Sequence, residues 1–141
     1  MNGKPVVLFL CVHNAGRSQM ALGWFQHLAE DRAIGLSGGS EPADTVNPVA
    51  IQAMHEVGID IAHNTPRRWT DTDLQRADVV VTMGCGDTCP YVPATRYEDW
   101  PLDDPAGQDL DHVRPIRDQI EHNVRALLAS LDIAKLTDPL W

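Results

Sequence analysis

Residues 11–18, Cys-Val-His-Asn-Ala-Gly-Arg-Ser, constrain the fold more than any other part of this chain. They follow a continuous apolar run at residues 6–10, which favours a buried parallel strand. An amphipathic run at residues 19–28 comes directly after them and predicts a helix. A strand, a tight loop and a helix start in this order direct backbone N–H groups and a helix N-terminus towards one point. We therefore expect residues 11–18 to form an anion-binding loop.

The side chains of this loop favour nucleophilic chemistry at a cysteine. Only a thiolate attacks effectively, and the loop amides, the helix N-terminus and Arg17 all stabilise an anion beside Cys11. Ser18 can donate a hydrogen bond to the sulfur, Arg17 has a planar fork suited to a tetrahedral oxyanion, and Gly16 allows a tight turn. The predicted oxyanion-binding residues are Val12, His13, Asn14, Ala15, Gly16 and Arg17. The alternative, an inert cysteine beside a surface arginine, is disfavoured by the strand–loop–helix context.

The length and the N-terminal sequence bound the class of protein. A chain of 141 residues has the size of one domain, which we expect at residues 1–132, with a loosely packed tail at residues 133–141. The longest apolar run, residues 5–12, is far too short to cross a membrane. Residues 1–4 lead into the first strand without a signal-peptide pattern. We therefore expect a cytoplasmic protein. We also expect it to be a monomer or a weak homodimer.

Charge and cysteine content narrow the chemistry further. The formal net charge of −9 argues against a nucleic-acid partner, and it means that an anionic substrate must be bound by local donors. The three cysteines are Cys11, Cys85 and Cys89. An odd number in a cytoplasmic chain favours thiol chemistry or a metal over a framework of structural disulfides.

Strand and helix patterns alternate along the chain and predict an α/β domain with a parallel sheet. The predicted strands cover residues 6–10, 33–38, 78–83 and 96–100, and the predicted helices cover residues 18–31, 48–57, 71–77 and 109–131. Asn47 and Pro48 predict the start of the second helix, Gly58 its end, and Thr70 the cap of the third. Pro115 predicts that the regular part of the last helix starts near that residue.

Two further motifs carry titratable groups. Asp103-Asp104-Pro105 can supply a proton to an oxygen that leaves a tetrahedral anion, although Asp-Pro is also common in plain turns. Cys85 and Cys89 lie four residues apart, a spacing that allows a disulfide in a deformable segment. Two inert thiols or a zinc site are the alternatives. Zinc is disfavoured because no further ligands show the required spacing, so we predict no metal site and no cofactor.

The segment from Cys11 to Ala21 closely resembles the catalytic loop of arsenate reductases built on the low-molecular-weight tyrosine phosphatase fold. The resemblance continues through Asn47-Pro48, Ala53-Met54, Val80-Val81-Thr82 and Trp100 with Asp103-Asp104-Pro105-Ala106-Gly107, and it covers nearly the whole chain up to about Leu131. It implies a four-stranded parallel sheet in the order 2-1-3-4 with helices on both faces. In that order the Cys11 loop lies where the strand order reverses, the position at which such sheets bind ligands.

The resemblance also implies a role for each candidate residue. Cys11 attacks arsenate, for which phosphate and sulfate are analogues, while Arg17 and the loop amides hold the oxyanion. Asp104 matches the general acid of the family. Cys85 then attacks Cys11 and arsenite leaves. Cys89 finally moves the disulfide to Cys85–Cys89, where thioredoxin reduces it.

Two departures from the family pattern bear on these roles. Only three residues separate Cys85 from Cys89, fewer than in the best-known members, so we expect the relay segment to move differently. Leu22 stands where some members bind potassium through a glutamate. A leucine cannot ligate a cation, and we therefore predict no potassium site.

Three other functions stay open at this point. A protein tyrosine phosphatase would use the same Cys11, Arg17 and Asp104, but phosphatases of this fold carry aromatic residues after Asp-Pro, where this chain has Ala106-Gly107. An arsenate reductase coupled to mycothiol or glutathione and a glutaredoxin-like partner would need only Cys11. A non-enzymatic oxyanion-binding or redox-sensing module would not need the complete set of residues.

Overall fold

The computed structural model describes residues 4–84 and 96–131, and these residues form four strands and four helices. The strands are β1 (Val6–Cys11), β2 (Ile34–Gly39), β3 (Val79–Thr82) and β4 (Arg96–Asp99). The helices are α1 (Arg17–Ala29), α2 (Pro48–His55), α3 (Asp71–Arg76) and α4 (Leu110–Ser130). All eight predicted elements are present, and their ends differ from the predicted ones by one or two residues at most.

The four strands form one parallel sheet in the order β2-β1-β3-β4. This order confirms the predicted α/β fold, including the strand order that the family resemblance implied. Cys11 is the last residue of β1 and lies opposite Gly39, the last residue of β2. The loop that follows Cys11 therefore leaves the sheet at its carboxyl edge, where the strand order reverses.

Strand β1 is buried along its whole length and anchors the two layers of the core. Val7, Phe9 and Cys11 belong to the larger hydrophobic cluster, which includes residues of α1, α2 and α4. Leu8 and Leu10 belong to a smaller cluster that forms around the end of α3. Because a slip of one residue would exchange the two sets of side chains, this burial fixes the register of β1 and the position of Cys11.

The predicted N-terminal caps of α2 and α3 are confirmed, whereas α2 ends at His55 with Glu56 as its C-cap, before the predicted end at Gly58. The side chain of Asn47 accepts a hydrogen bond from the backbone N–H of Val49 at 2.9 Å, and Pro48 occupies the first helical position. Thr70 and Asp73 form a capping box, with reciprocal side-chain-to-backbone hydrogen bonds of 3.1 and 2.8 Å. These caps fix where the loops before α2 and α3 end.

The predicted bounds of the last helix are right to within one residue, but the prediction that its regular part starts near Pro115 is wrong. Helix α4 begins at Leu110, because the side chain of Asp109 accepts a hydrogen bond from the backbone N–H of His112 at 3.1 Å and caps the helix. Pro115 lies inside the helix, where its missing N–H removes a single hydrogen bond to the carbonyl four residues earlier. None of the helices in residues 4–84 and 96–131 could span a bilayer, not even α4 with its 21 residues.

An ion-pair cluster joins the end of α2 to α4. Glu56 accepts hydrogen bonds from Arg114 at 2.6 and 3.0 Å and from Arg117 at 2.8 Å. The hydrogen bond from Arg114 is the main cause that lowers the pKa of Glu56 to about 2. A carboxyl group whose pKa is lower in the folded state contributes stability above its unfolded pKa. That contribution is lost as the pH falls through the folded value.

We expect Glu56→Gln to flatten the pH dependence of the free energy of unfolding between about pH 4.5 and 2. Denaturant titrations at several pH values in this window measure the slope. The matched control is Glu121→Gln, which removes a carboxylate of similar exposure that pairs with a single arginine, Arg125, within α4 and should change the slope less. A slope equal to that of the wild type in Glu56→Gln contradicts this account.

Candidate active site

The loop of residues 12–16 turns all five of its carbonyl groups towards partners outside the loop. Their donors are the backbone N–H groups of Glu41, Ala43, Asn47 and Met20, at 2.8 to 3.0 Å, and the side-chain amide of Gln19 at 3.1 Å. Within the described part of the chain, the N–H groups of residues 13–17 donate to no other group. The loop thus presents donors to its interior, which is the arrangement that binds an anion.

A small cavity opens inside this loop. Its volume is about 40 Å³, and it is lined by Cys11, His13, Ala15, Gly16, Arg17, Asn47, Asp104, Pro105 and Ala106. One water molecule needs about 10–15 Å³ on this measure, so the cavity holds about three waters, a size comparable to one tetrahedral oxyanion.

Cys11 lines this cavity and contacts the hydroxyl group of Ser18. The Cys11 Sγ and Ser18 Oγ atoms are 2.9 Å apart, and both residues are buried. The side-chain amide of Asn14 donates to Ser18 Oγ at 2.7 Å. Ser18 therefore uses a lone pair for Asn14 and directs its own hydrogen to the sulfur, the orientation that stabilises a thiolate.

The orientation of the Asn14 amide is itself determined by its neighbours. Its Oδ1 atom accepts a hydrogen bond from the backbone N–H of Arg67 at 3.0 Å, and a backbone N–H can only donate. The Nδ2 atom must then face Ser18. Asn14 is fully buried and has a φ of 50°, in the left-handed region that asparagine tolerates better than most residues.

Arg17 is buried between the cavity and the loop that carries the Asp-Pro motif. Its Nη1 atom donates to the carbonyl of Leu102 at 3.3 Å, and its Nη2 atom lies 3.6 Å from Asp104 Oδ2. Only 9% of its side chain is exposed. These contacts hold the guanidinium beside Cys11, where both are in reach of one bound anion.

The structure distinguishes the two neighbouring aspartates. Asp104 lines the cavity, and its Oδ1 atom accepts a hydrogen bond from the backbone N–H of Ala106 at 3.0 Å. Asp103 lies outside the cavity and is exposed. Pro105 packs against Gly16 so closely that a Cβ atom at position 16 would lie 2.6 Å from its ring. This contact accounts for a glycine at position 16 and brings Asp104 over the anion-binding loop.

The described lining of the cavity does not account for every predicted site residue. Cys85 and Cys89 lie outside the described residues, as does the tail at residues 133–141. Val12 and Asn14 belong to the loop but do not line the cavity. Among the described residues, no group of three His, Cys, Asp or Glu side chains could hold a metal ion.

Other residues of the site were not predicted from the sequence in these roles. Asn47 was identified only as a helix cap, yet it lines the cavity and its side-chain amide donates to the Pro105 carbonyl at 3.4 Å. Gln19 and Arg67 hold Asn14 in place, and Arg67 is 53 residues away from it in the chain. No local pattern reports such distant contacts.

Gly84, the residue before Cys85 in the sequence, lies against Arg17. A Cβ atom at Gly84 would lie 2.3 Å from Arg17 Nη1, and the φ of Gly84 is +82°. We expect Gly84→Ala to displace the guanidinium and weaken phosphate binding roughly 10-fold or more, since one lost charge-assisted hydrogen bond costs about 1.5–3 kcal/mol. Isothermal titration with phosphate measures the affinity.

The control for Gly84→Ala is Gly58→Ala. Gly58 has the same φ of +82°, and none of the described atoms lies within 4 Å of its Cβ position. Both variants should lose similar stability from backbone strain, about 1 kcal/mol, but only Gly84→Ala should lose affinity. Equal phosphate affinities in the two variants would show that Gly84 does not position Arg17.

Comparison with known proteins places this site in a family. Residues 6–136 match the low molecular weight phosphotyrosine protein phosphatase family. A putative arsenate reductase of Halobacterium salinarum is 40% identical over 121 residues, which cover 82% of this chain and 85% of the relative.

Solved structures agree with this assignment. The thioredoxin-dependent arsenate reductase of Corynebacterium glutamicum superposes with a TM-score of 0.83 at 38% identity, over 94% of this chain. This chain spans only 64% of the length of that protein. An arsenate reductase in its phosphate-binding state superposes with a TM-score of 0.80 at 36% identity, over 89% of this chain and 98% of the other. The chain therefore belongs to the low molecular weight phosphotyrosine protein phosphatase family and, within it, to the arsenate reductases.

Proposed function

We propose that this protein reduces arsenate to arsenite through a covalent adduct on Cys11 and a disulfide relay through Cys85 and Cys89, and that thioredoxin restores the thiols. The observation that carries the proposal is the position of the Cys11 sulfur. It lies 2.9 Å from the Ser18 hydroxyl, in a cavity of about 40 Å³ lined by Arg17 and the loop of residues 12–16. An activated thiol inside an anion-binding loop is the requirement for attack on a tetrahedral oxyanion.

The first step forms a sulfur–arsenic bond. The Cys11 thiolate attacks arsenate, and the loop amides and Arg17 hold the remaining oxygens. One oxygen leaves as water after it takes a proton from Asp104, which lines the same cavity. The Ser18 hydroxyl stabilises the thiolate before the attack and again when Cys11 later becomes a leaving group.

The second step transfers two electrons to arsenic. The Cys85 thiolate attacks the Cys11 sulfur, the sulfur–arsenic bond breaks, and its electron pair stays with arsenic, which leaves as arsenite. Cys89 then attacks Cys85, so the Cys11 thiolate departs and a Cys85–Cys89 disulfide forms. A thioredoxin dithiol reduces this disulfide and becomes oxidised itself.

Two observations support the relay over a phosphatase function. Gly84, which precedes Cys85 in the sequence, packs against Arg17, the guanidinium that would hold the oxyanion. Ala106 follows Pro105 at the rim of the cavity, where an aryl phosphate would need an aromatic contact for its ring. We infer that phosphate binds as an analogue of arsenate. The thioredoxin dependence printed for the C. glutamicum relative supports the same partner here.

An arsenate reductase that uses mycothiol or glutathione is the remaining alternative, because such a reaction needs only Cys11. The relay instead requires Cys85 and Cys89 as a pair. A cytoplasmic location is part of the same proposal, since thioredoxin must reach the Cys85–Cys89 disulfide. We also propose that the protein is a monomer or a weak homodimer.

We expect Cys89→Ser to stop after one turnover as a Cys11–Cys85 disulfide, because no third thiol can resolve it. Non-reducing peptide mass spectrometry after addition of one equivalent of arsenate identifies the linkage. The matched control is Cys85→Ser, which should form no disulfide with Cys11 by this route. Continued thioredoxin-dependent turnover of Cys89→Ser contradicts the three-cysteine relay, and turnover restored by a small thiol alone supports the alternative reductant.

A further inference from the structure

We propose that Arg67 is a positioning residue for the Cys11 nucleophile, because its guanidinium clamps the segment of residues 64–67 against the anion-binding loop. That segment supplies the donors that orient Asn14 and, through it, the hydroxyl of Ser18. The inference rests on the proposed function only in that Cys11 is taken as the nucleophile. It assigns a role to a residue outside the Cys11 cavity.

The clamp consists of two short hydrogen bonds to different elements. Arg67 Nη1 donates to the carbonyl of Ser37 in β2 at 2.7 Å, and Arg67 Nη2 donates to Asp73 Oδ2 in α3 at 2.7 Å. Ser37 and Asp73 are both buried, with exposed fractions of 5% and 6%. Hydrogen bonds that involve a charged group are among the stronger ones in proteins. The guanidinium therefore ties the segment to the sheet and to the capping box of α3.

The clamped segment then fixes two side-chain amides. The backbone N–H of Arg67 donates to Asn14 Oδ1 at 3.0 Å, and the side-chain amide of Asn64 donates to Gln19 Oε1 at 3.0 Å. Gln19 Nε2 is thereby directed at Asn14, where it lies 3.1 Å from the backbone carbonyl and 3.2 Å from Oδ1. Arg67 and Gln19 thus supply both donors to Asn14 Oδ1. Its donor group is left to hold Ser18 in the orientation that points at Cys11.

A purely structural role for Arg67 predicts something different. The backbone of the segment also pairs with Gly39, through hydrogen bonds from the Gly39 N–H to the Arg67 carbonyl at 2.9 Å and from the Trp69 N–H to the Gly39 carbonyl at 3.4 Å. If this pairing alone positioned the N–H of Arg67, loss of the guanidinium would lower the stability of the fold and leave the reactivity of the Cys11 thiol unchanged. The two roles are therefore separable by a measurement on the thiol itself.

The test uses the full-length chain with Cys85→Ser and Cys89→Ser, so that Cys11 is the one remaining thiol. The rate of alkylation by iodoacetamide is measured against pH, and the midpoint of the profile reports how well the site stabilises the Cys11 thiolate. We expect Arg67→Met to move this midpoint upward by at least about half a pH unit, which is about a threefold change in the ionisation equilibrium of the thiol. The charged and titratable side chains that line the Cys11 cavity are His13, Arg17 and Asp104, and these variants retain all three.

Two further variants separate positioning from simple electrostatics. Asp73→Asn keeps an oxygen for the α3 cap but weakens the pair with Arg67. Loss of its negative charge would by itself favour a nearby thiolate and lower the midpoint, whereas loss of positioning raises it. We expect a rise in both Arg67→Met and Asp73→Asn. Arg76→Met, an exposed position on α3 outside the network, should leave the midpoint unchanged.

A lower melting temperature with an unchanged midpoint in Arg67→Met overturns the proposal, and so does a lowered midpoint in Asp73→Asn. If Arg67→Met does not fold, the result for Asp73→Asn decides alone. Alkylation needs neither arsenate nor thioredoxin. A failure of arsenate reduction in the wild-type protein would therefore count against the proposed function and not against the role of Arg67.

Discussion

The hydrogen bonds that turn the carbonyl groups of residues 12–16 outward are the interactions on which the rest of the site depends. A loop that follows a buried strand would ordinarily expose carbonyl and N–H groups to both sides. Here each carbonyl has a donor outside the loop, from the segment of residues 41–47 or from α1. The N–H groups of residues 13–17 are consequently left for the interior of the loop, where His13, Ala15, Gly16 and Arg17 line one small cavity. An anion meets donors there, because the carbonyl groups of residues 12–16 are bonded to groups outside the loop.

This local arrangement overcomes the charge of the whole molecule. The chain carries a formal net charge of −9, which repels an oxyanion at long range and is screened over about 8 Å at physiological ionic strength. Inside the cavity the relevant groups are preorganised amides, the helix N-terminus and the guanidinium of Arg17, at distances well below that length. The same groups favour the thiolate of Cys11 before substrate arrives. Substrate binding and activation of the nucleophile therefore share one set of donors.

The parts of this structure that could be predicted from the sequence are those encoded by local patterns. The apolar run of β1, the caps at Asn47 and Thr70, and the strand–loop–helix order around Cys11 all act within a few residues of one another. The alternation of elements indicated a parallel sheet, but its strand order came from the family resemblance, because no local signal determines which strands are neighbours. The prediction at Pro115 was wrong because the side chain of Asp109 caps the helix before that residue, and the helix tolerates the one hydrogen bond that proline removes.

The residues that orient the reacting groups could not be predicted from the sequence for a related reason. Asn14 is held by residues of α1 and by Arg67 from a distant segment, and Arg67 donates through its backbone, which every residue type except proline can do. The contacts of Gly16 with Pro105 and of Gly84 with Arg17 are likewise visible only once distant segments are packed together. A sequence motif names the reacting groups, whereas the groups that orient them are determined by the tertiary structure.

The most direct measurement of the central claim is the stoichiometry of a single turnover without external reductant. Fully reduced protein, with its three cysteines as thiols, is mixed with excess arsenate, and released arsenite and remaining thiols are counted. The account predicts one arsenite released and one thiol left per chain, because two electrons pass from one pair of cysteines to arsenic. Retention of all three thiols with no arsenite released would contradict it.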